Sequence, residues 1–290
     1  MSEEVGSGRR TTIISAVTGM KAWSAPDQRL IKWIEDHRKR AIESYKADPL
    51  LVEEHGRQED SFRTGGYAHR QVLELVQNAA DALRRGGERG RVAVIFQDDV
   101  LYCANEGETF TQAGLEAVCH AYLSDKRGEE IGRFGLGFKS VLGVTDEPTI
   151  FSRSVSFGFR ADHSRNELSE INKQARNFPV LRLPFLVDAQ QEFTRDGLLA
   201  DLATWAQTIV RLPLTRNFAR LLLDLQDFPK EFLLFAPFVQ SLTIAGSANH
   251  IYDSRCEPIG DDRWRLVGAD GVDSEWMVWQ RTHRPSEAAL

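Results

Sequence analysis

The chain has 290 residues, of which 42% are hydrophobic and 27% charged, with a formal net charge of -6. That length allows one large domain or two modest ones, and the acidic balance argues against a general grip on nucleic acid. No apolar run approaches the ~20 residues of a membrane helix, and the polar, acidic opening Met-Ser-Glu-Glu-Val-Gly-Ser-Gly is no signal peptide. Cys103, Cys119 and Cys256 are odd in number and far apart. They read as reduced thiols of a cytoplasmic protein, not as a disulfide set or a zinc site.

Residues 1–22 read as a flexible arm. Ser24-Ala-Pro-Asp27 has capping-box character with Pro26 in the first turn, and predicts a helix to about Lys46 with Leu30, Ile34, Ala41 and Tyr45 near one face. Residues 47–66 are polar and turn-rich. A second helix is expected from about Tyr67 to Arg85, stopped by Gly86-Gly87. Arg91–Phe96 and Val100–Ala104 read as two strands joined at Asp98-Asp99. Thr111 can cap a helix carrying Leu115, Val118, Cys119 and Tyr122, followed by a charged loop over Ser124–Glu130 and a short helix opening near Phe138. Further strands are expected at Thr149–Phe151, Val155–Arg160, Val180–Phe185 and Thr208–Leu212, with 162–177 ambiguous. Composition shifts near Pro213. Beyond it, Phe218–Leu225 and Pro229–Val239 look helical, and Ser241–Ala245, Trp264–Val267 and Glu275–Gln280 look extended. The expected division is thus an arm, a main domain over 23–215, and a helical and strand extension over 216–290 that could open a second domain.

The chemistry concentrates in two segments. The first is Glu-Leu-Val-Gln-Asn-Ala-Ala-Asp over 74–81. At about 100° per residue, Asn78 falls ~40° from Glu74, Asp81 about -20° and Arg85 about 20°, with Val72, Leu75, Val76, Ala79 and Leu83 opposite. One face packs on a core while the other presents a carboxylate, an amide and a second carboxylate. The plain alternative for that polar face is a solvated one, but Asn is a poor helix former, and a role as metal or water ligand would account for its presence mid-helix. The second segment is Gly-Arg-Phe-Gly-Leu-Gly-Phe-Lys-Ser over 132–140. Gly132, Gly135 and Gly137 sit just before a helix, where free backbone amides attract phosphate oxygens, and Lys139 or Lys126 could add charge to the same anion; the glycines alone equally suit a flexible hinge or tight turn. Phe138 breaks the Walker pattern, which needs Gly-Lys-Ser at that place. The order Gly-x-x-Gly-x-Gly reverses the dinucleotide fingerprint.

The ordered set resembles the GHKL ATPases, and within them the sacsin-type ATP-binding domain. It runs Gly-Tyr67, the 74–82 helix, Asn-Glu-Gly-Glu-Thr-Phe over 105–110, Ser-Asp-Lys over 124–126, Ile-Gly-Arg-Phe-Gly-Leu-Gly-Phe-Lys-Ser-Val over 131–141, Val-Thr-Asp-Glu-Pro over 144–148 and Ile-Val-Arg-Leu-Pro-Leu over 209–214. The likeness covers about residues 20–245. It implies an α+β Bergerat fold, a two-layer sandwich of a mixed, mostly antiparallel sheet backed by helices, with a small C-terminal extension. By matching position it implies Glu74 as general base, Asn78 as the magnesium ligand and Asp81 as support on the nucleotide side. Asn105 and Gly107 would stand on the base side, Phe110 would help enclose base or ribose, and Ser124 and Lys126 would lie on a lid. Gly132, Gly135, Gly137 and Phe138 would wrap the triphosphate, and Thr208 would assist adenine recognition. Most of the family has Asp where Asn105 stands, and an amide oxygen accepts with less charge assistance than a carboxylate.

The expectation is therefore a magnesium-dependent, slow ATPase acting as a switch in a larger chaperone-like, defence or DNA-transaction protein. Its partners would be ATP or ADP, and a protein or further domains of the same polypeptide. Nucleotide-dependent homodimerisation could use the 26–46 helix as a strap, with a plain packing helix as the simpler reading of that segment. The alternative is a nucleotide-binding interaction module without turnover. A kinase on the same fold ranks lower, since no phosphoacceptor helix is evident.

Overall fold

In the computed structural model the described residues are 23, 25–64, 70–120, 137–216, 218–246, 251–268 and 272–279. They form an α+β unit whose centre is one ten-stranded mixed sheet, ordered β10-β9-β8-β7-β1-β2-β6-β3-β4-β5. The strands are β1 (Gly90–Gln97), β2 (Val100–Asn105), β3 (Thr149–Ser152), β4 (Phe157–Gly158), β5 (Phe185–Leu186), β6 (Thr208–Pro213), β7 (Val239–Ala245), β8 (Ile251–Gly260), β9 (Arg263–Val267) and β10 (Asp273–Met277). Every pairing is antiparallel except β1 with β7. The helices are α1 (Gln28–Ala47), α2 (Leu50–Thr64), α3 (Gln71–Gly86), α4 (Gln112–Cys119), α5 (Ala161–Ser169), α6 (Ala189–Arg195), α7 (Gly197–Ala203) and α8 (Ala219–Gln226), with 3-10 segments at Gly137–Gly143 and Lys230–Phe235.

The β1–β2 hairpin follows from alternation. Val92, Val94, Phe96, Leu101 and Cys103 point to the face covered by α3, while Ile95, Tyr102 and Ala104 point to the other. Asp98 and Asp99 take φ of 50° and 57°, the conformation a two-residue hairpin turn demands. On the first face α3 buries Val72, Leu75, Val76, Ala79 and Leu83, each at most 3% exposed. Each large side chain sealed in this way stabilises the fold by roughly 1.5–3 kcal/mol. Further along that face, α1 and α4 pack with Ile150, Phe157 and Phe159. The opposite face is covered as well, because Leu199, Leu202 and Ala203 of α7 pack on Tyr102, Phe151 and Ile209. The sheet is thus flanked locally on both sides, beyond the two layers expected. Arg153 fastens α7 to the end of β3 by donating to the carbonyls of Ala203 and Ala206, both at 3.0 Å.

Several elements differ from expectation. Residues 50–64 are helical, and the face they bury carries Val52, Gly56, Glu59 and Phe62. A Cβ at Gly56 would stand 2.7 Å from Phe178 N and closer still to the Asn177 carbonyl, so the 177–178 backbone lies directly on the helix. The Glu59 carboxylate, 4% exposed, accepts from the amides of Val180 at 2.6 Å and Leu181 at 3.1 Å. Those amides are therefore not available to a strand ladder, and the extended run expected at Val180–Phe185 shrinks to the two-residue β5. Burial is the dominant influence on Glu59 and pushes its pKa up. The cap of α1 is Asp27, whose carboxylate accepts from Arg29 N at 2.8 Å, so Pro26 precedes the cap instead of occupying the first turn. The C-terminal strands β7 to β10 continue the same sheet, and Leu221, Leu225, Leu242, Cys256 and Leu266 share one core with α3. Cys103, Cys119 and Cys256 are buried free thiols. Among the described residues no helix is long and apolar enough to cross a membrane. The expected arm over 1–22 and the charged loop over 124–130 lie outside the described residues.

Candidate functional site

α3 is the spine of the site. Its apolar stripe fixes its rotation on the sheet, which leaves Glu74 and Asn78 half-buried on successive turns while Asp81 is enclosed at 1% exposure. The helix stops at Gly87, whose left-handed φ of 74° lets its N–H reach the carbonyls of Leu83 and Arg84.

The 3-10 segment meets α3 at Glu74. A Cβ at Gly137 would lie 2.7 Å from the Glu74 Cδ and nearer still to Oε2, so the carboxylate rests directly on the glycine. Gln71 Nε2 donates to the Ser140 carbonyl at 3.2 Å, and Ser140 Oγ donates to the Gly137 carbonyl at 2.7 Å. The start of α3 and the end of the glycine-rich stretch are thereby tied together. Phe138, partly buried, bridges the two core clusters on this side of the sheet.

The exit of β2 crosses α3 farther along. A Cβ at Gly107 would stand 2.7 Å from the Ala82 carbonyl oxygen and closer to Ala82 C and Leu83 N, so only glycine allows this backbone-on-backbone crossing. The crossing is held by Glu108 N donating to Ala82 O at 2.8 Å, by Arg85 on Glu108 at 2.9 Å, and by Arg91 on Glu106 at 2.6 Å.

Beside it, three polar residues line up across adjacent strands. Asn105 of β2 pairs in register with Thr208 of β6, which pairs with Ser152 of β3. All three are buried, at 5%, 6% and 1% exposure. The hydroxyls of Ser152 and Thr208 are hydrogen-bonded at 3.1 Å. Ser152 Oγ also accepts from Phe110 N at 3.0 Å, and Ser154 Oγ donates to the Phe110 carbonyl at 2.7 Å. Phe110 is thus pinned at the end of this row, with its ring edge-on to Phe157 at 5.3 Å. Ser152, Ser154 and Gln71 were not singled out from the sequence, because nothing local marks a serine that will meet a threonine 56 residues away.

Lys139 is employed elsewhere. It is 2% exposed and its Nζ donates to the Ala117 carbonyl of α4 at 3.0 Å. Burial pulls its pKa down to about 8. Its ammonium thus has a structural hydrogen bond beneath α4, distinct from the anion contact expected of it. Ser124, Lys126, Gly132 and Gly135 lie outside the described residues. The structure therefore brings Glu74 to Gly137, Gly107 to the α3 backbone, and Asn105 to Thr208. Among the described residues no group of three or more His, Cys, Asp or Glu side chains could hold a metal by itself.

No family model matches the chain. A stretch of 102 residues, 34% of the chain, is 34% identical to Protein NO VEIN of Arabidopsis thaliana. The match spans only 4% of that protein's length.

Proposed function

We propose that the chain is an ATP-binding, magnesium-dependent ATP-hydrolysing module of the GHKL type, with a sacsin-like Bergerat fold. The observation that carries the reading is the seating of Glu74 on Gly137. It sets a carboxylate on α3 against the last glycine of a segment rich in backbone amides, the pairing a triphosphate site needs. The row Asn105–Thr208–Ser152 supports it, since it supplies a polar floor where a base would rest, closed on one side by Phe110. A match that covers so little of a much longer relative agrees with a module built into larger proteins.

In this reading Glu74 orients and deprotonates the attacking water. Phosphoryl transfer asks the protein mainly for positioning and charge stabilisation, and a base of this kind contributes typically ~10²–10⁴-fold. Magnesium usually keeps several waters and takes only one or two protein oxygens. The half-buried amide of Asn78, one turn beyond Glu74, would give the ion one protein oxygen, and the ion when bound would neutralise phosphate charge. Asp81, enclosed on the Glu74 face of the same helix, holds the nucleotide side of α3 in place. Ser124, Lys126, Gly132 and Gly135 are proposed to close over the triphosphate, and closure to change a surface offered to a protein partner or a second copy of the chain in the cytoplasm.

Calorimetric titration with ATP and magnesium tests the reading. Wild-type protein should release heat of binding, and Asn78→Ala should bind the nucleotide more weakly and lose its dependence on magnesium. Binding indifferent to magnesium, or unchanged by that substitution, removes the proposed role of Asn78. Binding without turnover in the wild type would make the chain a nucleotide-dependent interaction module.

A further inference from the structure

The buried row at the end of β2, β6 and β3 holds one unanswered group. Asn105 is 5% exposed, and its Nδ2 is sealed from solvent with no hydrogen-bond partner among the described residues. Its main chain cannot shift to find one. The residue sits in the ladder opposite Val92 on one side and Thr208 on the other, and its carbonyl accepts from Gln207 N at 2.8 Å. In this arrangement the adjacent Thr208 and Ser152 hydroxyls bond to each other, and Ser152 also serves Phe110, while neither is hydrogen-bonded to Asn105 Nδ2. A buried donor left unpaired costs on the order of 1–3 kcal/mol, and such groups in native structures call for a specific explanation.

Resting on the ATP-site reading above, we infer that Asn105 makes purine selection two-sided. The site accepts nucleoside triphosphates whose base carries either a 6-amino group, as adenosine does, or a 6-oxo group, as inosine does. An amide has an acceptor oxygen and a two-proton donor on the same carbon. In one orientation Oδ1 accepts from a 6-amino group while Nδ2 donates to the unprotonated N1. After a half-turn about the last torsion, Nδ2 donates to a 6-oxo group while Oδ1 accepts from the protonated N1. Each orientation gives the stranded donor an acceptor. A carboxylate at this position has no donor, and its charge would face the 6-oxo oxygen in repulsion, so it would read only the amino purine.

The test is a titration of the whole chain with the magnesium complexes of ATP and ITP, which differ only at position 6 and N1 of the base. Wild type should bind the two within about 10-fold. Asn105→Asp should keep ATP and lose ITP by about 100-fold or more, because a site built around one hydrogen-bond polarity rejects the opposite one strongly. A wild-type preference for ATP greater than about 10-fold overturns the inference and leaves the ATP site standing. Equal binding of both nucleotides by Asn105→Asp overturns it too, by removing Asn105 from the contact. Failure of wild type to bind either nucleotide overturns this inference and the ATP-site reading together. The wild-type comparison needs no variant, so a misfolded Asn105→Asp does not spare the inference.

Discussion

Gly137→Ala is the substitution that most sharply separates a catalytic contact from a structural one. The new methyl would stand 2.7 Å from the Glu74 Cδ and closer to Oε2, well inside ordinary contact. What it meets is the far end of a flexible side chain, so the carboxylate can swing aside by on the order of 1 Å. An off-rotamer adjustment of that kind costs about 0.5–1.5 kcal/mol. Catalysis should suffer far more, since a displacement of ~1 Å at a reacting group can cost ~10²-fold in rate. Gly107→Ala is the counter-case. There the methyl meets the Ala82 and Leu83 backbone, which cannot swing, so the stability cost is at least about 1–3 kcal/mol. The assay pairs thermal melting with magnesium-ATP hydrolysis for both variants and for Gly137→Ala combined with Glu74→Ala. Gly137→Ala should melt close to wild type and hydrolyse ~10²-fold more slowly. In the double variant the clash is gone, so the stability lost through Gly137→Ala should be recovered, a coupling that contacting residues show. Wild-type turnover in Gly137→Ala, or strictly additive stability effects, would refute the reasoning.

Three further predictions follow from named contacts. His37 is 6% exposed, stacked on Trp33 at 4.8 Å, and its pKa is lowered to about 4, first by burial and then by His120. A depressed folded pKa means the stability is present above the unfolded value of 6.5 and lost as pH falls through about 4. His37→Leu should flatten the pH dependence of melting across that window, by up to ~3 kcal/mol. Parallel pH profiles for the two proteins would contradict this. Ser152→Ala removes the partner of both Thr208 and Phe110 N, so it should cost about 1–3 kcal/mol in urea denaturation and weaken ATP binding, with calorimetry as the check. Glu59→Ala leaves the amides of Val180 and Leu181 buried without acceptors, and should destabilise by about 3 kcal/mol or more while protecting neither amide from hydrogen exchange. Full protection in that variant would mean the carboxylate is not what orders 180–181.

What the sequence disclosed and what it hid have separate physical causes. The β1–β2 hairpin was legible because both strands alternate and Asp98-Asp99 suits a tight turn. α3 was legible because its apolar stripe runs uninterrupted from Val72 to Leu83. α2 was hidden because its inward face mixes Val52 and Phe62 with Gly56 and Glu59, so a close backbone approach and a buried carboxylate interrupt the apolar stripe. α6 and α7 span only seven residues each, too few for periodicity, although Asp188 and Asp196 cap them. β8 was missed because its outward positions carry Arg255 and Glu257 while Ser254 and Cys256 face inward, which gives little hydrophobic contrast. In the candidate site, Glu74, Asn78, Asn105 and Thr208 could be named from motif order. Ser152 could not, since its part depends on β3 lying beside β6, a neighbour relation that no local pattern encodes.

The central claim is that Glu74 activates water against a bound triphosphate. Single-turnover hydrolysis of magnesium-ATP by wild type and by Glu74→Gln, with binding measured on the same samples, tests it most directly. The account predicts similar affinity in both proteins and a rate lower by ~10²–10⁴-fold in the variant. Equal rates, or no ATP bound by either protein, would contradict it.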